Sequence, residues 1–106
     1  MNPQELRETL AHRLSLELND DFALMECWKQ EVRILTADLP ETITFLNSCT
    51  EEEFYWVSEV FDDLIAQTQS KELFNTICSR AERIANPEFK ASIATDIEFA
   101  RGQFIE

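Results

Sequence analysis

The chain reads as an all-α protein of about six helices, arranged as an antiparallel bundle or as a short right-handed stack of helical hairpins. Three observations lead there. Apolar residues recur at spacings of three and four along most of the 106 residues. One Gly is present, so the left-handed backbone positions that tight β-hairpins demand are nearly missing. Cap-then-proline and capping-box signals punctuate the apolar rows. With 44% hydrophobic residues, residues 1–106 are expected to form one domain whose core needs neither metal nor disulfide.

Asn2 as cap and Pro3 at the first helical position start a helix predicted over residues 3 to 18, with Leu6, Leu10, Leu14 and Leu18 as its buried row. Asn19, Asp20 and Asp21 supply the next cap. Leu24 or Met25, Trp28, Val32 and Leu35 carry the second helix to about residue 36. Pro40 then breaks the chain and starts a short third helix to Asn47, burying Ile43, Leu46 and Phe45. Thr50 with Glu53 forms a capping box for a fourth helix, predicted without interruption to Gln67. Ser70 caps a fifth, whose row is Leu73, Phe74, Ile77, Ala81 and Ile84. Asn86 and Pro87 open a sixth, with Phe89, Ile93, Ile97 and Ala100 inward and Gly102 ending it through a positive φ.

Cys27, Cys49 and Cys78 are odd in number and lack C-x-x-C spacing, which points to reduced, buried thiols in a cytoplasmic protein. No leader pattern opens the sequence, and no apolar run approaches the roughly 18 residues of a membrane helix. The net charge of −12 disfavours binding to nucleic acid and favours a basic protein partner.

That charge is concentrated. Between Arg33 and Lys71 there is no Lys or Arg, while Asp38, Glu41, Glu51, Glu52, Glu53, Glu59, Asp62 and Asp63 fall inside the interval. Phasing Glu51 to Gln67 at about 100° per residue puts Phe54, Val57, Val60, Phe61, Leu64 and Ile65 on one stripe. Glu52, Tyr55, Glu59, Asp62 and Asp63 fall opposite, with Trp56 at the edge. Acids around Tyr55 and Trp56 suit an interface in which aromatics supply contact area and carboxylates steer a basic partner. Asp38 and Glu41 extend the patch. Reversal of Glu59 and Asp62 to Lys is expected to slow association and leave the fold intact.

Catalytic readings find little in the sequence. His12 stands alone, no phosphate-cradling Gly loop exists, and no catalytic, cofactor-binding or metal-ligating residue is assigned. Glu59 and Asp62 at a spacing of three could offer two oxygens to Mg²⁺, as in all-α nucleotide pyrophosphohydrolases, but the second E-E-x-x-E cluster is absent. Among binding proteins, an acidic helical adaptor docking on a host protein fits the same charge pattern.

Trp56-Val57-Ser58-Glu59-Val60-Phe61-Asp62-Asp63, then Thr68-Gln69-Ser70-Lys71-Glu72-Leu73 and Arg80-Ala81-Glu82-Arg83-Ile84, resembles small acidic all-helical immunity proteins of bacterial contact-dependent growth inhibition and related polymorphic toxin systems. The likeness spans roughly residues 51 to 101. It implies a cytoplasmic protein that binds the C-terminal toxin domain of a cognate effector, often a basic nuclease, and blocks it. No functional residue carries over by motif, so the interface rests on charge and helical phase.

Overall fold

Asn2 opens α1 (Pro3–Ser15) by accepting from the Gln4 and Glu5 amides, as its place before a proline demands. The computed structural model describes residues 2–17 and 20–105. Side chains cap the helices after it: Asp20 for α2 (Asp21–Thr36), Asp38 for α3 (Leu39–Ser48) and Thr50 for α4 (Glu51–Val57). At Thr50 the box is complete, since Thr50 Oγ1 accepts from the Glu53 amide and Glu53 Oε1 from the Thr50 amide, both at 3.0 Å. Beyond a 3-10 turn (Ser58–Val60) come α5 (Phe61–Thr68), α6 (Lys71–Glu82) and α7 (Pro87–Arg101), with Ser70 and Asn86 capping the last two. The described residues contain no strand.

The core explains the order. Phe54, Val57, Val60, Phe61, Leu64 and Ile65 are wholly buried, as the helical phase predicts, and they form the centre on which the other helices lie. Burial of each such side chain is worth about 1.5–3 kcal/mol. α5 packs on α7 and α2, α1 on α2 and α4, and α3 on α6 and α2. Thr42, inside α3, sends its hydroxyl to the Leu35 carbonyl (2.6 Å) and satisfies an orphan acceptor in the last turn of α2. With extents of 33 × 30 × 25 Å the helices form a compact all-α bundle.

Several expectations are corrected. α1 stops at Ser15, because Leu16 is already extended; the predicted Leu18 and the cap at Asn19 lie outside the described residues. Leu14 is 48% exposed and Arg13 is buried in its place. The reason is phase: the eighth residue after Leu6 has drifted about 80° from it, whereas the seventh is only about 20° off. Met25 likewise faces outward, and Leu24 takes the core position. Gly102 keeps a right-handed φ of −70°, while among the described residues the left-handed one is Gln69, at φ 52°. Gln69 is held there by its own side chain, which donates to the Ile65 and Gln103 carbonyls and accepts from the Ile105 amide. Cys27 and Cys49 are buried and Cys78 is half-buried; all three are free thiols. No helix of the described residues is long and apolar enough to cross a membrane.

Candidate functional site

The acidic stretch is interrupted between α4 and α5. Three residues in 3-10 geometry, Ser58–Val60, separate α4 from α5, and α1, α2 and α7 close in around the break. The predicted single face of Glu52, Tyr55, Glu59, Asp62 and Asp63 is therefore divided among neighbouring helices.

The three successive rings of α4 seat three different helices. Phe54 lies under the Arg80 guanidinium of α6 (5.5 Å), and Trp56 lies under Arg13 of α1 (5.1 Å). Tyr55, expected to point outward with the acids, stacks on Phe89 of α7 with centroids 4.3 Å apart and planes 15° from parallel. It is half-buried, as is Trp56, which meets the Tyr55 ring edge-on.

Glu59 departs furthest from a free surface acid. Its two oxygens accept from Arg13 Nε (2.9 Å) and Nη2 (2.6 Å), and Oε1 also accepts from Trp28 Nε1 (3.3 Å). Reversal of Glu59 to Lys would break the fold, contrary to the expectation from helical phase, since it would set a second positive charge against a buried guanidinium. The same pairing takes Glu59 away from the Mg²⁺ arrangement considered with Asp62. Among the described residues no group of three His, Cys, Asp or Glu is placed to hold a metal ion.

Other acids also have local duties. Asp38 accepts from the Glu41 amide as the α3 cap, and Glu41 lies on a groove of about 500 Å³ between α1 and α3. Glu51 receives the Ala85 and Asn86 amides, and these bonds hold its carboxyl below the usual range. Glu53 pairs with Arg7 at 2.7 Å. Glu52 is exposed on the groove between α1 and α4 beside Trp56 and Leu14.

What remains together is Asp62 and Asp63, joined by a residue that sequence patterning does not reveal, Asp96 of α7. Burial pushes the Asp96 carboxyl upward, with Asp62 and Glu59 adding to the rise and the Ser58 hydroxyl opposing it. Burial and the neighbouring Asp62 raise Asp63 as well. Neither of these acids nor Asp62 has an ion-pair partner among the described residues. Asp63 also stands on the rim of a groove of about 660 Å³ between α2 and α5, whose floor includes Trp28, Val32 and Ala66.

Two further residues escape the sequence pattern. Arg13 and Glu31 both lie inside the protein, and Glu31 is 0% exposed. The signal was available, since Glu31 sits four residues after Cys27 and four before Leu35, on the buried face of α2. Comparison with family models, curated proteins and solved structures finds no match to this chain.

Proposed function

We propose that the chain is an immunity-type inhibitor, which binds the basic toxin domain of a cognate effector, a nuclease by the resemblance of residues 51 to 101, through the acidic surface of the 3-10 turn, α5 and α7. The observation that carries this reading is Asp62 with an acid on either side of it, Asp63 next to it in α5 and Asp96 facing it from α7: carboxylates with no ion-pair partner among the described residues, and Asp63 and Asp96 held at raised proton affinity. Like charges left uncompensated cost stability, and a cationic surface docked on them would relieve that cost while speeding encounter. Asp62 and Asp63 are the steering charges of the face. Tyr55, stacked on Phe89, and Trp56, under Arg13, flank it as half-buried aromatics. Glu59 acts from below by holding the turn. Glu52 marks its other margin.

The test takes the basic domain encoded beside this chain, or recovered with it from its own cells. Coexpression should restore growth of cells poisoned by that domain. The Asp62→Lys/Asp63→Lys variant should associate roughly 10-fold more slowly at low salt with little change in Tm. Absence of growth protection would leave an adaptor in place of an inhibitor, and an unchanged association rate would move the interface elsewhere.

A further inference from the structure

Glu31 lies wholly inside the protein, and neither oxygen of its carboxyl has a hydrogen-bond partner among the described residues. An ionised carboxylate in such a place is strongly disfavoured, so the group keeps its proton unless something nearby can take up its charge. The groups facing it are few. Arg13 of α1 and Glu59 of the 3-10 turn act on it through their charge without bonding it, and the Cys27 thiol lies one turn away on α2 itself. α3 and α5, also packed on α2, bring no charged group that acts on it among the described residues. Burial, with the Glu59 carboxylate adding and Arg13 opposing, pushes the Glu31 carboxyl up to about 8.

Arg13 is the one cation in this set, and it is already committed. Its fork grips Glu59 while its plane covers Trp56, and this single side chain fastens the end of α1 to the turn beneath it. A second carboxylate would compete with Glu59 for the same guanidinium.

We infer that Glu31, Arg13 and Glu59 form a proton-operated latch. With Glu31 protonated, Arg13 clamps α1 to Glu59; when Glu31 releases its proton to solvent, the guanidinium is shared between two carboxylates and the clamp on α1 loosens. Opening on the alkaline side uncovers Trp56 and Trp28 and frees an oxygen of Glu59 toward the surface. The latch therefore regulates what the 3-10 turn presents to a partner, and it operates whether or not that partner is a toxin.

The direction of the shift sets the sign of the linkage. The folded protein holds the Glu31 proton over a range in which the unfolded chain, with a carboxyl near its ordinary 4.5, has lost it. The Glu31 contribution to stability is thus fully present below that value and is lost as pH rises through about 8.

Both tryptophans of the protein touch the cluster, Trp28 through its indole N–H and Trp56 through its ring, so intrinsic fluorescence reads the latch directly. In the full chain, a pH titration should show a transition centred near pH 8, with acrylamide quenching rising about two-fold while far-UV helicity persists. Glu31→Gln, a neutral shape mimic of the protonated acid, should abolish it. Cys27→Ala should keep it, since burial holds that thiol up to about 11 and it titrates later. The same transition in Glu31→Gln, or a silent wild type between about pH 6 and about pH 9.5, would overturn the latch. Should Glu31→Gln fail to fold, the carboxyl carbon of Glu31 observed by NMR in the wild type decides. A midpoint near 8 with coincident amide shifts in α1 supports the inference, whereas a midpoint below about 6, or titration without response in α1, refutes it.

Discussion

Arg13 and Arg80 are both buried, both stand in the last turn of a helix, and both lie over an aromatic ring of α4, yet their charges are met by different means. Arg13 receives a carboxylate in a two-pronged grip, with a second carboxyl close by. Arg80 donates from Nη2 to the carbonyl of Cys49, the residue that ends α3, at 2.9 Å; its Nε has no partner among the described residues. A guanidinium held by a carbonyl and the face of Phe54 depends little on pH. One held by carboxylates inherits every change in their protonation. The α1 end of the molecule is accordingly the titratable end, and the α3–α6 contact is the constant one.

Removal of the counter-charge should separate the two sites most sharply. Glu59→Ala leaves Arg13 buried without the carboxylate that grips it, with only the Glu31 carboxyl nearby, and should cost about 3–5 kcal/mol. Differential scanning calorimetry at neutral pH measures it. Replacing both partners, Arg13→Met with Glu59→Leu, should recover most of that loss, because the desolvation of two charges disappears together with their attraction. If the double variant is as unstable as Glu59→Ala, the pair is holding α1 by geometry that packing cannot replace, and the contrast with Arg80 is one of shape more than charge.

Arg80→Leu should cost less, about 1–2 kcal/mol, since it removes a buried charge along with one hydrogen bond and leaves only the Cys49 carbonyl unmet. Its melting temperature should keep the wild-type dependence on pH, because the groups that Arg80 acts on, Cys49 and Glu51, titrate outside the neutral range: burial raises the Cys49 thiol, and amide bonds lower Glu51. Loss of the neutral-range slope in this variant would mean that the α3–α6 contact and the α1 end are coupled through α4.

The sequence exposes one of these sites no better than the other, for the same reason. Periodicity finds helices by their apolar residues, so Leu6, Leu24, Phe54, Ile77 and Ile93 are legible, and the caps at Asn2, Thr50, Ser70 and Asn86 set the boundaries. A charged residue on the core face interrupts that pattern and is read as a step off it; Arg13 yields its place to Leu14, and Glu31 vanishes between Cys27 and Leu35. The 3-10 turn is hidden for another reason. Ser58, Glu59 and Val60 carry neither Gly nor Pro, and the tightening comes from packing, with the Ser58 hydroxyl bonded back to the Tyr55 carbonyl. Without that turn the acids appear as one face, and with it only Asp62 and Asp63 remain together and find Asp96. Asp96 is far from Asp62 in the chain, so only the packing of α5 on α7 could join them.

The smallest expected effect lies where the titratable end reaches the surface. Asp96 is pushed upward first by burial and then by Asp62 and Glu59, so in the folded state it resists ionisation more than in the unfolded chain. Its contribution to stability is present below its unfolded value and is lost as pH rises through the raised one, so at neutral pH the carboxylate works against folding. Asp96→Asn keeps the size and polarity of the side chain beside Ser58 and deletes that charge. It should raise stability by about 0.5 kcal/mol at neutral pH and by nothing measurable near pH 3. Thermal melts at the two pH values check this. Because Glu59 is one source of the repulsion, the gain should shrink in the Arg13→Met/Glu59→Leu background; a gain of equal size there would show that Asp62 and burial alone set the strain, and that the acidic face is electrically separate from the latch below it.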